Sequence, residues 1–306
     1  MSYVATLISH PDRPAVTEGL AERVARHLPQ GRAAGWLARD VAIDVLFSGD
    51  AENGTGTAKI WLKKLSGELR ALVGDGPVDI VLQGQSGRRK KLLVADMDAT
   101  MIGQECIDEL ADYAGFKGRV AAITKRAMEG ELDFAPALRE RVALLKGLPI
   151  STIDAVIDER IRLTPGGPAV VKTMRANGGY TCVVSGGFTA FMARIAGSIG
   201  FDEYRANRLL VDAAGRLTGE VGEPIVGREA KRDTLIALRE RFRLAREDTL
   251  AVGDGANDIP MIEAAGLGVA FHAKPALRQA AHACIDHGDL TALLYAQGYR
   301  RDEFVE

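Results

Sequence analysis

Two carboxylates, Asp96 and Asp98, stand two residues apart where the apolar run 92–95 ends, within LLVADMDATM. In extended backbone, residues two apart point to one face. Like charges held that close repel unless a cation or a shared proton relieves them. Such a pair can bind a divalent cation, attack an electrophile, or divide acid and base roles between its members. The same run can also be a strand leading into a solvated acidic loop, and Asp-x-Asp alone does not choose.

Three further stretches narrow the choice. A second apolar run, TLAVG at 249–253, is followed by Asp254-Gly-Ala-Asn257-Asp258, with Gly253 and Gly255 permitting tight turns. Tyr180 to Val184 leads into Ser185-Gly186-Gly187. Backbone N–H groups freed by glycines can cradle an anion, and the Ser185 hydroxyl adds a donor. Lys231 sits at the head of a helix-like stretch beginning at Ala230, where its ammonium could face the same anion.

Taken in order, DMDAT, VVSGG, Lys231 and GDGAND resemble the four motifs of the haloacid dehalogenase superfamily. ECIDELA from Glu105, LDFAPALRERVALLKGLP at 132–149 and GDGANDIPM at 253–261 are similar to the phosphoserine phosphatases within it. The resemblance covers roughly residues 90–295. Ala99 departs from it, since many of those enzymes carry Ser there, but the chemistry does not require that side chain.

The resemblance implies hydrolysis of O-phospho-L-serine to L-serine and phosphate, the last step of L-serine biosynthesis. Asp96 would attack phosphorus and form an aspartyl-phosphate. Asp98 would protonate the departing alkoxide and then activate the hydrolytic water. Mg2+ would be held by Asp96, Asp254 and the backbone carbonyl of Asp98, with Asp258 orienting these groups from behind. Ser185, the Gly186 N–H and Lys231 would clamp the phosphoryl oxygens, with Asn257 at the phosphate or substrate end. Glu105 would meet the substrate ammonium and Arg141 its carboxylate, the latter through a bidentate fork, while Phe134 would exclude water. Read only from their surroundings, Glu105 could also be a first-turn acid and Arg141 an i,i+4 surface partner.

The elements that must position these residues are legible from periodicity. Residues 3–8, 33–37, 41–47 and 77–83 read as strands, 15–28 and 58–73 as helices, and 48–57 as a loop. This β-α-β-β-α-β order is the ferredoxin-like plan and resembles the small ACT-type domains of amino-acid enzymes. It predicts an α+β N-terminal domain over 1–85, a candidate dimerisation module or amino-acid sensor. Residues 84–91 follow as a linker whose basic run, Arg88 to Lys91, reads as solvated.

From 92 onward, short apolar strands at 92–96, 180–184, 249–253 and 267–271 alternate with helices, which predicts an α/β, Rossmann-like parallel sheet over 91–295. The candidate residues fall at the carboxyl ends of these strands, where such sheets bind ligands. Residues 103–162 break the alternation with helical spacings, including Val120-Ile123-Ala127, and read as a helical cap inserted after the first motif. Residues 207–222 read as a hairpin.

Bulk properties bound the alternatives. The chain has 306 residues, 47% hydrophobic and 26% charged, with a net charge of −2 that gives no reason to expect a nucleic-acid partner. No apolar segment is long enough to span a bilayer, and no signal peptide is evident. Cys106, Cys182 and Cys284 form no Cys-x-x-Cys pair, which suits a reducing cytoplasm. GDGAND departs from the dinucleotide fingerprint at its final position. Competing expectations are a phosphatase or phosphotransferase for another small metabolite, such as phosphohomoserine, or a protein acting mainly as an amino-acid sensor.

Overall fold

The computed structural model describes residues 2–49, 55–128 and 131–306. The N-terminal part contains β1 (Ser2–Ser9), α1 (Glu18–His27), β2 (Arg32–Ala38), β3 (Ala42–Ser48), α2 (Thr55–Val73) and β4 (Val78–Gly84). Its four strands form an antiparallel sheet in the order β2-β3-β1-β4, the arrangement that the ferredoxin-like plan requires. Thr17 caps α1 by accepting from the Leu20 N–H at 3.1 Å. Of the loop expected at 48–57, residues 50–54 lie outside the described residues, and α2 already begins at Thr55.

β1 is buried along nearly its whole length because both faces of this sheet are covered. One face packs Tyr3, Leu7, Val45 and Leu82 with Val24 of α1 and Leu69 of α2. From the other face, Ile8, Ala42 and Val81 join a core shared with Leu293 and Tyr295 of the C-terminal region.

The remainder contains β5 (Leu92–Ala95), then α3 (Cys106–Tyr113), α4 (Lys117–Met128), α5 (Phe134–Ala143) and α6 (Ser151–Arg160). These are followed by α7 (Gly167–Ala176), β6 (Tyr180–Phe188), α8 (Thr189–Ile199), β7 (Glu203–Asn207), β8 (Leu209–Val211) and β9 (Leu217–Val221). The chain ends with α9 (Arg228–Arg241), β10 (Thr249–Gly253), α10 (Ile259–Ala264), β11 (Leu267–Phe271), α11 (Pro275–Ala280), β12 (Ala283–Ile285) and α12 (Ala292–Ala296). Six strands build one parallel sheet, β12-β11-β10-β5-β6-β7. Alternation along β5 sends Leu93 and Ala95 into the larger core and Leu92 and Val94 into the core beneath α9 and α10.

Helices α3 to α6 occupy the interval expected to be helical, although the side chain of Ala127 lies outside the described residues. The interval leaves and re-enters the core on a two-stranded stalk, with Ile102 bridged to Leu163 and the Gly103 N–H donating to the Arg162 carbonyl at 3.1 Å. The β8–β9 hairpin belongs with these helices. The Gly147 N–H donates to the Leu217 carbonyl and the Leu217 N–H to the Leu148 carbonyl, both at 2.8 Å.

Two expectations are corrected. The strand expected to end at 184 continues through Ser185-Gly186-Gly187 to Phe188, because its outer part re-pairs with β7 after a register shift. The basic run 88–91 is solvated only in part: Arg89 and Lys91 are exposed, but Arg88 and Lys90 turn inward. The Arg88 guanidinium grips both oxygens of Asp44, at 2.6 and 3.0 Å, and donates to the Thr6 hydroxyl and to the Tyr295 and Ala296 carbonyls. Lys90 is buried against the Gly87 and Glu247 carbonyls, and burial lowers its ammonium to about 8. Backbone carbonyls of α12 and of the segment before β10, together with Asp44, draw these side chains inward.

Candidate active site

β5 and β10 lie side by side in parallel register, so the acids at their ends converge. Asp96 follows β5 directly. Its N–H donates to the Val252 carbonyl at 3.0 Å, and one carboxylate oxygen accepts the Met97 N–H at 2.7 Å. Carboxylate oxygens of Asp96, Asp254 and Asp258 all lie within 4.8 Å of one another, and all three residues are buried.

One buried ammonium faces this cluster. Lys231 Nζ lies 2.7 Å from Asp96 Oδ2 and 2.7 Å from Asp258 Oδ1. The two carboxylates hold Lys231 above the ordinary lysine range despite its burial. Burial, then the charge of Asp258, pushes Asp96 well above the usual carboxylate range, against the pull of Lys231. Three carboxylates thus share too little positive charge. Hard oxygen donors in negative excess fit a divalent cation such as Mg2+.

Asp258 has little freedom of its own. While Oδ1 meets Lys231, Oδ2 accepts the Asp254 and Gly255 N–H groups, each at 3.2 Å. A Cβ on Gly253 would lie 2.3 Å from Asp258 Oδ2, so the glycine makes room for this carboxylate. Asp258 therefore holds the Asp254 loop in place while its charge adds to the cluster.

Asp98 takes a different direction from Asp96. The chain turns after β5, with Ala99 in the left-handed region at φ 51°. Asp98 accepts the Cys106 N–H at 3.2 Å and the Ser185 hydroxyl at 3.3 Å. Burial raises its carboxyl above the usual range, with the hydrogen bonds from Cys106 and Ser185 opposing. The Asp98 side chain is not among the three clustered carboxylates.

Ser185 is 1% exposed and accepts the Gly187 N–H at 2.8 Å. A Cβ on Gly187 would lie 3.1 Å from both Asp98 Oδ2 and Ser185 Oγ, so the glycine lets three groups share this corner. Phe134, the first residue of α5, reaches Gly186: a Cβ there would sit 2.9 Å from the Phe134 ring tip. The helical interval is thereby closed against the outer end of β6.

Glu105 and Arg141 also face this cleft. Glu105 lies immediately before α3. Loss of hydration, then the charges of Asp98 and Asp254, raises its carboxyl to about 7, although the residue retains solvent-exposed surface. Arg141 donates to the Ala137 carbonyl at 3.3 Å and, among the described residues, forms no ion pair within 4.0 Å. Burial lowers it, while Asp108, Glu105 and Asp98 act in the opposite sense. Asn257 is exposed at the lip beside Gly255.

Two contributors were missed from the sequence. Lys274 Nζ lies 3.2 Å from Asp254 Oδ2, and its N–H donates to the Asp254 carbonyl at 2.9 Å. Its place one residue before Pro275, just past the end of an apolar strand, is the signal that could have found it. Asn207, 1% exposed, donates to the Gly186 and Val226 carbonyls at 2.8 and 3.1 Å and ties the outer end of β6 to the segment entering α9.

Residues 93–263 match the family model for haloacid dehalogenase-like hydrolases. The chain is 44% identical over 238 residues to phosphoserine phosphatase SerB2 of Mycobacterium tuberculosis, covering 77% of this chain and 58% of that protein. A phosphoserine phosphatase solved as a phospho-aspartyl intermediate analogue is 44% identical and superposes with a TM-score of 0.62, over 67% of this chain and 98% of its own. A haloacid dehalogenase family hydrolase from Salmonella enterica serovar Typhi superposes along 99% of both chains at 30% identity, with a TM-score of 0.79. No described helix is long and apolar enough to cross a membrane.

Proposed function

This chain belongs to the haloacid dehalogenase-like hydrolase family, and on that footing we propose that it hydrolyses O-phospho-L-serine to L-serine and phosphate. The observation that carries the reading is the convergence of Asp96, Asp254, Asp258 and Lys231 in one buried cluster beside Asp98 and Ser185.

Asp96 attacks phosphorus with one carboxylate oxygen and forms an aspartyl-phosphate, and the serine alkoxide leaves. Asp98, raised by burial, holds the proton that the alkoxide takes. In the second half-reaction the same carboxylate accepts a proton from water as that water displaces phosphate from Asp96. Lys231, the Ser185 hydroxyl and the Gly186 N–H meet the phosphoryl oxygens as these gain charge. Asp96, Asp254 and the Asp98 carbonyl would hold Mg2+, with Asp258 and Lys274 fixing Asp254. Bound there, Mg2+ neutralises phosphoryl charge and lines up the phosphate for attack.

In this reading residues 103–162 form a cap that selects the substrate. Glu105 meets the ammonium, Arg141 the carboxylate, Asn257 the lip of the phosphate site, and Phe134 closes over Gly186. Residues 1–85 form a separate α+β domain on a core spanning 91–295. Its outer strand β2, exposed over residues 32–35, supports a homodimer through this domain. A small soluble substrate and three free cysteines fit a cytoplasmic enzyme.

Arg141→Ala tests the substrate. It raises KM for phosphoserine at least about tenfold, the loss of a charge-assisted contact, and leaves p-nitrophenyl phosphate hydrolysis nearly unchanged. Equal losses on both substrates would remove Arg141 from the carboxylate site.

A further inference from the structure

Away from the catalytic cluster, a cavity of about 590 Å3 opens between the N-terminal sheet and the stalk of the cap. That volume suits a small molecule. Three parts of the chain line it: His10 and Arg13 just after β1, Ala99 with Gly103 and residues 162–165 of the stalk, and the loops after β11 and β12.

The charges in this cavity do not cancel. Of its two acids, Asp286 pairs with Arg70 and Arg278, while Asp289 accepts the Thr291 N–H and hydroxyl and keeps its charge, leaving one carboxylate against two guanidinium groups. The two arginines have no such partners. Among the described residues Arg13 makes no side-chain hydrogen bond or ion pair, and Arg162 donates only to the neutral Ile161 and Glu159 carbonyls. Two guanidinium groups, with His10, His272 and His287 beside them, make a recess that favours an anion.

The location is as informative as the charge. Arg162 lies on the returning strand of the stalk, its carbonyl bonded to Gly103 and its N–H to the Gln104 side chain at 2.9 Å. The Ala99 N–H donates in turn to the Gln104 carbonyl at 3.1 Å, one residue beyond Asp98. Arg13 follows β1 of the N-terminal sheet. A ligand touching both arginines would tie the stalk to the N-terminal part of the chain.

We propose that this cavity is a regulatory site for a small carboxylate or phosphate anion, held between Arg13 and Arg162, whose binding restrains the cap. Restraint at the hinge slows opening, and so lowers kcat where product release depends on it. This consequence rests on the phosphatase reading; binding itself does not.

The test uses the full chain with isotope-labelled histidines, titrated separately with succinate and inorganic phosphate. Of the five histidines, His10, His272 and His287 line the cavity, whereas His27 and His282 do not. Saturable shifts of the first three, with His27 and His282 unmoved, are expected, and the anion that saturates identifies the source. Arg13→Gln and Arg162→Gln, both at exposed positions, should each weaken binding at least about tenfold. The anion that binds should lower kcat for saturating p-nitrophenyl phosphate at least twofold in the unmodified protein and not in Arg13→Gln. No saturable shift, or unchanged affinity in both variants, overturns the site. Binding without any change in kcat overturns its regulatory role.

Discussion

Lys231 Nζ lies 2.7 Å from Asp96 Oδ2, an ion pair whose side chains are only 2% and 5% exposed. Breaking such a pair from the lysine side strands Asp96 with Asp254 and Asp258 in a site that water barely reaches. Lys231→Met should therefore lower kcat/KM by about 10^2- to 10^3-fold, as loss of a transition-state donor does. It should also cost about 3–5 kcal/mol of stability without metal, since a buried charge loses its partner. Turnover and urea unfolding in EDTA measure the two effects, and added Mg2+ should restore stability more than turnover.

Glu105 provides a pH signature. Only its ionised form attracts an ammonium, and its carboxyl is raised to about 7. KM for phosphoserine, divided by KM for p-nitrophenyl phosphate, should fall as pH rises through about 7 and then level. Both substrates are mostly dianionic phosphate monoesters by about pH 7, so phosphate ionisation contributes little to the ratio there. Glu105→Gln should raise the ratio and flatten the profile. Linkage fixes the sign for stability as well. The folded protein holds this proton more tightly than the unfolded chain, so the Glu105 contribution favours folding at low pH. It is lost as pH rises from about 4.5 to about 7.

Arg88 joins the N-terminal sheet to α12. Its side chain and that of Asp44 are 13% and 11% exposed, and two hydrogen bonds connect them. Arg88→Ala should destabilise the protein by about 3–5 kcal/mol through the stranded Asp44. Thermal unfolding of the variant checks this. A double variant that also replaces Asp44 by a neutral residue should recover part of the loss.

The candidate positions Asp96, Ser185 and Asp254 were readable in the sequence because each directly follows an apolar run with a residue type that such runs rarely carry. The strands reveal themselves by being apolar on both faces, and the parallel sheet then brings their ends together. Elements without that contrast were not visible. β7 is an edge strand of mostly exposed residues, EYRAN, and β12 is only three residues long. Lys274 and Arg88 look like ordinary surface cations in sequence; only the packing of β11 beside β10, and of one sheet against α12, assigns them partners. Asp258 was read as orienting the metal-binding groups from behind; its Oδ2 accepts the Asp254 and Gly255 N–H groups, while its Oδ1 meets Lys231.

The decisive measurement is phosphate release from L-phosphoserine with Mg2+, run beside EDTA and Asp96→Asn. Release should be rapid, abolished by EDTA, and at least about 10^3-fold slower in the variant, the scale of losing a nucleophile. Asp96→Asn turning over phosphoserine within about tenfold of the unmodified chain would contradict the role of Asp96 as nucleophile.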